Sequence, residues 1–148
     1  MAKFREIEKF LKEKKIKFQV IDLPGVAISV ADVIRLSNGQ VKPEEIVKTL
    51  IVKDKAGNFV ACLLKGEDRL KREVMERLAT KEEILEIARV EIGAVCPILL
   101  GIPILIDNKA TQLKRVNMGS GNHLKGLEMD FGDLIKVLPE YTIGEISI

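Results

Sequence analysis

Residues 46–64, with the sequence IVKTLIVKDKAGNFVACLL, predict an antiparallel β-hairpin. Two apolar segments, 47–52 and 59–64, flank a polar segment, 54–58, that contains Gly57. Apolar runs of this length are typical of strands, and glycine next to Asp or Asn is typical of the connecting turn. We therefore expect two paired strands here.

Sequence on both sides of the hairpin predicts further helices and strands. Apolar residues at helical spacing, with capping residues at some ends, predict helices over 2–15, 29–36, 70–78, 80–88 and 133–138, and a short one opening at 43–45. Alternating or continuous apolar runs predict strands over 16–20, 102–106, 116–118, 127–129 and 141–146. Strands joined both by a hairpin and by helices predict a mixed sheet, hence an α+β fold.

Composition favours one globular domain over residues 1–148, in which residues 1–15 form an N-terminal amphipathic helix. The chain is 47% hydrophobic and 31% charged, which excludes a disordered protein. Because the net charge is only +2, no partner is implied by bulk electrostatics. Two basic clusters are either local nucleic-acid contacts or ordinary solvated faces: Lys12, Lys14, Lys15 and Lys17, and Lys65, Arg69, Lys71 and Arg72.

The numbers of cysteines and histidines indicate the cellular compartment and limit the possible metal sites. Two cysteines and one histidine cannot form a Cys/His structural zinc site or a disulfide framework. The charged start of the chain is unlike a secretion signal, and no apolar run has the length of a membrane span. We expect a cytoplasmic protein that uses no metal, cofactor or membrane.

Lys48 is the first candidate site residue. In a strand over 47–52, Lys48 shares one face with Leu50 and Val52, so that its ammonium lies beside apolar neighbours. A buried ammonium is costly unless its charge is paired or used, and here it could bind a negatively charged or ester-bearing ligand. The alternative is a lysine that extends to solvent or protects a strand edge.

Two glycine-containing loops are the next candidates. Gly93 permits a positive φ and close approach of a ligand, and Pro97 stiffens the end of the same loop. Main-chain N–H groups in such a loop could stabilise an oxyanion during ester cleavage, or the glycine could simply cap a helix. The second loop, GSGNHL at 119–124, is not a dinucleotide fingerprint, because Leu124 replaces the third glycine. No phosphate-binding loop ending in Gly-Lys-Ser/Thr occurs either. The sequence therefore excludes the common classes of kinase, ATPase and dehydrogenase.

Cys96 and His123 raise a second chemistry, a thiol–imidazole nucleophile. The alternatives are that Cys96 is a small buried apolar side chain and that His123 only holds its loop. No orienting acid can be assigned, so the residues alone leave both readings open.

Four segments together resemble one known family, in its order and with similar spacing: PEEIVKTLIV at 43–52, GAVCP at 93–97, IPILID at 102–107 and GSG at 119–121. This is the YbaK/prolyl-tRNA-synthetase-associated family of editing domains, which hydrolyse mischarged aminoacyl-tRNA. The resemblance covers about residues 28–138. It implies a compact α+β fold with a mixed, partly barrel-like sheet surrounded by helices.

The resemblance also implies roles for particular residues. Lys48 corresponds to the family's functional lysine, which fixes the 3′-terminal end of the tRNA, and Gly93 to Pro97 form the loop that cradles the aminoacyl ester. We expect Lys48, Gly93 and Ala94 to be catalytic, with water attacking the ester carbonyl and no covalent intermediate. The expected substrate-binding residues are Ile28, Thr49, Val95, Cys96, Pro97, Gly119, Ser120, Gly121, Asn122 and His123. Within this set, Ile28, Val95, Cys96 and His123 are expected to set pocket depth.

The expected function is therefore deacylation, in trans, of tRNA carrying a small mis-attached amino acid. The expected partner is the 3′-terminal acceptor end of aminoacyl-tRNA, with an aminoacyl-tRNA synthetase as a further candidate partner. Two alternatives stay open: a non-catalytic tRNA or synthetase binder, and a Cys96-dependent hydrolase of a small ester. The sequence leaves the amino acid, the tRNA and the oligomeric state open.

Overall fold

A computed structural model describes residues 2–91 and 93–148, so that Met1 of the expected N-terminal segment lies outside the described residues. The α-helices in this part of the chain are α1 (Ala2–Glu13), α2 (Val30–Ser37), α3 (Lys81–Ala88) and α4 (Phe131–Lys136). The strands are β1 (Phe18–Asp22), β2 (Val47–Lys53), β3 (Phe59–Lys65), β4 (Arg77–Leu78), β5 (Ile104–Asp107), β6 (Arg115–Gly119), β7 (Lys125–Asp130) and β8 (Tyr141–Gly144). Short 3-10 turns cover Pro43–Glu45, Arg72–Val74 and Ala110–Gln112.

The strands divide between two sheets. One has three antiparallel strands in the order β1-β7-β6, and the other has five in the order β4-β2-β3-β5-β8. In the larger sheet β2 pairs antiparallel with β3, whereas β3, β5 and β8 run parallel. This single-domain α+β fold with a mixed sheet confirms the prediction, although among the described residues the strands do not close into a barrel.

Local sequence explains the element boundaries that were predicted well. The β2–β3 turn has Gly57 at φ +91°, and the Asp54 side chain accepts hydrogen bonds from the main chain of Ala56 and Asn58. Helix α2 begins after Ser29, whose hydroxyl accepts from Asp32 N at 3.1 Å. Each of these turns or caps uses side chains adjacent in sequence, so that each can be recognised without tertiary information.

The helix predicted over residues 70–78 is wrong. Leu70 forms an isolated bridge with Ser147, Arg72–Val74 is a single 3-10 turn, and β4 follows it. Apart from the bonds of that turn, the main chain of this segment pairs with distant elements: Lys71 N donates to Ile146 O, and Glu76 N donates to Lys53 O. The apolar spacing that imitates a helix therefore reflects packing against β2 and the C-terminal residues.

The main hydrophobic core lies between the two sheets. The larger sheet contributes Val47, Ile51, Leu63 and Ile106, and the smaller contributes Val116, Met118, Leu127 and Met129. A second cluster lies under α2 and includes Ile21, Leu23 and Ile46. Burial on both sides of β2 fixes this strand firmly, and β2 carries two of the candidate site residues.

One edge of β2 is only partly covered. At its start, Ile46 makes an isolated parallel bridge with Asn117 of β6, and at its end β2 pairs with β4 at Val52 and Lys53. Between these points no other strand of the described chain pairs with this edge. The two sheets therefore touch at one bridge, which we call the joint, and separate beyond it.

Candidate functional site

A cleft of about 490 Å³ opens where β2 and β6 separate beyond the joint. Its walls come from four parts of the chain: the segment leading into α2, strand β2, the loop after α3, and the end of β6 with the loop that follows. The lining residues include Ile28, Val30, Val33, Ile46, Lys48, Thr49, Leu50, Gly66, Ile84, Gly93, Val95, Asn117, Met118, Gly119, Asn122 and His123. Most of these side chains are apolar, so the few polar atoms in the walls define what can bind.

Lys48 brings a cation to this cleft. Its side chain is half-buried, and Nζ donates a hydrogen bond to the carbonyl oxygen of Gly66 at 3.1 Å. Burial lowers the pKa of Lys48 from its ordinary value of 10.5; Asp68 opposes this shift and Arg69 adds to it. The ammonium's hydrogen bond among residues 2–91 and 93–148 is to a neutral carbonyl, so its positive charge can still act on a ligand. The reading of Lys48 as a solvent-extended surface lysine does not fit this position.

Thr49 presents main-chain groups to the cleft. Gly66 N donates to Ile46 O, so even-numbered residues of β2 direct their main chain toward β3, and Ala79 N donates to Ile51 O on the opposite edge. The N–H and C=O of Thr49 therefore face the uncovered edge. Its Oγ1 is buried, and among the described residues it has no hydrogen-bond partner. An unsatisfied buried hydroxyl costs about 1–3 kcal/mol, which a ligand could recover.

Gly93 holds the loop after α3 against the segment before α2. It has φ +92°, and a Cβ built on it would lie 2.6 Å from Ile28 Cα and 2.7 Å from Ile28 O. Only glycine fits this conformation and this contact. Ile28 itself is exposed and lies at the rim of the cleft.

Gly119 makes an equally close contact with the Gly93–Pro97 loop. A Cβ on Gly119 would lie 2.4 Å from Val95 O and 3.1 Å from Ala94 C. Two glycines thus join three segments that are far apart in sequence, at residues 28, 93–95 and 119. The structure therefore brings both predicted glycine loops to the same cleft as Lys48.

The loop after β6 contributes Asn122 and His123 to the cleft. Asn122 Oδ1 accepts from Leu124 N at 2.9 Å, and His123 O accepts from Ala27 N at 3.0 Å. His123 Nδ1 also lies 3.9 Å from the Glu91 carboxylate. These contacts fasten the loop to the segment before α2.

Five predicted site residues do not line the cleft: Ala94, Cys96, Pro97, Ser120 and Gly121. Ala94 N already donates to Glu91 O at 3.2 Å, which makes it unsuited to hold an oxyanion. The Ser120 hydroxyl donates to Lys125 O at 2.7 Å and so holds its own loop. Gly121 N donates to Ala94 O at 2.8 Å and thereby ties the two glycine loops together. The sequence thus predicted correctly which two loops reach the cleft. It did not predict which residues of each loop face it.

Cys96 and Pro97 are buried behind the cleft rather than in its wall. Burial raises the pKa of the Cys96 thiol to about 12 and that of Cys62 to about 11. Both thiols are therefore protonated at neutral pH and unsuited to nucleophilic attack. Cys96 cannot set pocket depth directly, because its side chain lies on the core side of the loop.

Several lining residues were missed by the sequence interpretation, above all Asn117. It is 2% exposed, and its Nδ2 has no hydrogen-bond partner within 2–91 and 93–148. Its position between apolar Val116 and Met118 in a predicted strand was a usable signal, because buried polar side chains are normally paired. Gly66 and Val30 were missed because only the tertiary structure brings them to Lys48.

The described residues contain neither a membrane-spanning helix nor a cluster of metal-binding side chains. No helix among them has the length and hydropathy needed to cross a membrane. No group of three or more His, Cys, Asp or Glu residues among them is arranged to hold a metal ion.

Comparison with known proteins adds a match along most of the chain. Residues 29–137 match the model of a family described as the aminoacyl-tRNA editing domain. A proline–tRNA ligase from Kosmotoga olearia is 32% identical over 124 residues, which cover 74% of this chain and 20% of the ligase. The chain thus spans about a fifth of the length of that curated relative.

Solved structures give the same fold. The crystal structure of hypothetical protein APE2540 is 26% identical and superposes with a TM-score of 0.82, over 97% of this chain and 99% of that one. A second crystal structure, described as a candidate trans-editing enzyme for prolyl-tRNA synthetase, is 19% identical with a TM-score of 0.80, over 100% of this chain and 98% of that one. At this level of identity the second match supports the architecture alone.

Proposed function

The chain belongs to the aminoacyl-tRNA editing domain family, and from this premise we propose that it hydrolyses the ester bond of mischarged aminoacyl-tRNA in trans. Water attacks the ester carbonyl, the bond to the terminal ribose breaks, and the products are a free amino acid and a tRNA with a free hydroxyl. The observation that carries this proposal is the meeting of Lys48 and both glycine loops at one cleft.

Lys48 binds the terminal nucleotide in this proposal. Its ammonium is held at the cleft wall by Gly66 O and keeps hydrogen-bonding capacity for a phosphate or ribose oxygen. Because burial weakens its hydration, the ammonium interacts more strongly with an anion than a surface lysine does. The small net charge of the chain fits modest affinity for many tRNAs, as editing requires.

The remaining polar groups position the aminoacyl end. Asn122 and His123 line the cleft, where they can orient the amino acid or the attacking water. The apolar side chains of Val95, Met118 and Ile84 suit a small, uncharged amino-acid side chain. Correct positioning of an activated ester and a water supplies much of the rate, so a strong general base is not obligatory.

A panel of charged tRNAs tests the proposal. Purified protein is incubated with Ala-, Ser-, Cys- and Thr-tRNA, and loss of the labelled amino acid is followed against a protein-free control. We expect release of at least one small amino acid. No release from any of them, together with measurable tRNA binding, would instead support the non-catalytic binder.

Thiol chemistry separates the proposal from the Cys96-dependent hydrolase. Because both thiols are buried and have raised pKa values, we expect no reaction of the native protein with an aromatic disulfide reagent at pH 8, and reaction of both cysteines after unfolding. Activity should survive treatment with iodoacetamide. Stoichiometric alkylation of native Cys96 with parallel loss of activity would reverse this conclusion.

A synthetase partner is a further part of the proposal. It is supported by the curated relative, a proline–tRNA ligase that contains a matching segment. Addition of a prolyl-tRNA synthetase to the deacylation assay would show whether it raises the rate on tRNA specific for proline.

A further inference from the structure

Asn117 is a buried polar side chain at the joint between the two sheets. It is 2% exposed, it lines the cleft, and its Nδ2 has no hydrogen-bond partner in the described part of the chain. Buried polar groups are normally hydrogen-bonded, to protein or to ordered water, so an unpaired amide that lines a cleft points to a polar atom supplied by what binds there. An amide in this position needs a functional explanation.

The joint places Asn117 beside Lys48. Asn117 bridges Ile46 in parallel register, and Lys48 lies two residues further along β2. Residues 46 and 48 of a strand point to the same face, and at about 3.3 Å per residue they are about 7 Å apart along it. The amide and the ammonium therefore lie on one face of the joint, within reach of one small ligand.

The surroundings of Asn117 leave room for its amide and fix its direction. A Cβ added to Gly126 of β7, which is diagonal to Asn117 across the β6–β7 pair, would lie 3.1 Å from Asn117 Oδ1. Glycine at this position thus accommodates the oxygen end of the amide. The nitrogen end is the part that remains without a partner.

Chemistry limits what the nitrogen can bind. Nδ2 carries two N–H donors and accepts no hydrogen bond, so the ligand must offer an acceptor atom. The proposed function brings the aminoacyl end of a charged tRNA into this cleft. The α-ammonium of that end is a donor, whereas its ester carbonyl oxygen is an acceptor that is present whichever amino acid is attached.

We propose that Asn117 Nδ2 donates a hydrogen bond to the ester carbonyl oxygen of the substrate and strengthens that bond as the oxygen becomes negative. This inference rests on the proposed deacylase function. It supplies a donor that the main chain of Ala94 cannot, because Ala94 N is bonded to Glu91 O. Since every aminoacyl ester has this carbonyl, the role is independent of the amino acid removed.

The first test is kinetic. Asn117→Leu keeps the branching at Cγ and removes both donors, and loss of one oxyanion donor typically lowers the rate about 100- to 1,000-fold. We expect a fall of this order in kcat for every amino acid that the unchanged protein releases, with KM altered far less. Asn117→Asp, which keeps the shape but replaces the donors by acceptors, should lose as much. A loss confined to Ser- and Thr-tRNA would overturn the proposal, since it would place the bond on a side-chain hydroxyl.

The second test needs neither catalysis nor a variant that folds. The ¹⁵N side-chain amide signals of Asn117 in the unchanged protein are recorded with 3′-alanylamino-3′-deoxyadenosine, which keeps the carbonyl in a stable amide. We expect a downfield shift of one Asn117 amide proton, and no such shift with 3′-amino-3′-deoxyadenosine, which lacks the carbonyl. An Asn117 signal that does not change with the alanyl compound overturns the proposal.

The two tests distinguish the proposed hydrolysis from the proposed role of Asn117. Absence of deacylation by the unchanged protein, combined with the Asn117 shift, contradicts the proposed hydrolysis and supports Asn117 as a carbonyl-binding residue. Deacylation that is unaffected by Asn117→Leu supports the hydrolysis and contradicts the role of Asn117.

Discussion

Lys48→Ala is expected to lower kcat/KM for deacylation by roughly 10- to 150-fold. The reason is loss of a charge-assisted hydrogen bond to the substrate, which contributes about 1.5–3 kcal/mol, and about 1.4 kcal/mol corresponds to a factor of ten. The fold should survive, because Lys48 makes one hydrogen bond, to a main-chain carbonyl beside an accessible cleft. Single-turnover deacylation and thermal unfolding measure the two effects separately.

Lys53→Ala is the matched control for this variant. Lys53 belongs to the same strand and is also half-buried, but its ammonium lies over the Phe59 ring, 5.9 Å from the centroid, and it does not line the cleft. We expect its deacylation rate to equal that of the unchanged protein. Equal activity of Lys48→Ala and Lys53→Ala would remove Lys48 from the mechanism.

The same residue predicts a pH dependence. Binding requires the protonated ammonium, which is present below the pKa of Lys48 and lost as the pH rises through it. Because burial lowers that pKa, the enzymatic kcat/KM should fall at a pH below lysine's ordinary value of 10.5, after subtraction of spontaneous hydrolysis. The alkaline fall should be absent from the residual activity of Lys48→Ala.

Gly93→Ala is expected to reduce deacylation about 100-fold and to destabilise the protein. A Cβ at Gly93 meets Ile28 main-chain atoms at 2.6–2.9 Å, and φ is +92°. The loop and the Ile28 segment must move apart, and a displacement of about 1 Å in a positioned site typically costs about a hundred-fold in rate. Overpacking and backbone strain together should lower the free energy of unfolding by about 2–4 kcal/mol.

Gly57→Ala is the control that separates backbone strain at positive φ from a steric clash of the added Cβ. Gly57 has φ +91°, close to that of Gly93, but nothing lies within 4 Å of its Cβ position, and it belongs to the β2–β3 turn. We expect a cost of about 1–2 kcal/mol in unfolding free energy and no change in deacylation. If Gly93→Ala behaves like Gly57→Ala in both measurements, the contact with Ile28 has no role in the site.

Local signals made much of the fold predictable. The β2–β3 hairpin, α2 with its Ser29 cap, and α3, which opens with the Thr80–Glu83 capping box, all depend on residues close in sequence. The helix prediction for residues 70–78 failed because main-chain groups of this segment bond to Lys53 and Ile146, which no local pattern identifies. The resemblance to the editing-domain family is confirmed by the match over residues 29–137.

The candidate site was predictable to the level of loops. The family pattern located Lys48 and both glycine loops, which the structure brings to one cleft. It could not tell which loop residues face that cleft, because the orientation of the two loops depends on the Gly121–Ala94 hydrogen bond between them and on the Ser120–Lys125 bond within the second loop. Asn117 escaped notice because its importance depends on the missing partner of one atom, which only three-dimensional packing reveals.

The uncovered edge of β2 bears on how new substrate preferences could arise in this scaffold. Within the described residues, no further strand pairs with β2 along this edge, so partly exposed lining side chains such as Ile28, Val33 and Leu50 can change without disturbing the main core. A mutant library restricted to these three positions should therefore yield many folded proteins with altered amino-acid selectivity. The architecture thus lets selectivity evolve while its folding determinants stay constant.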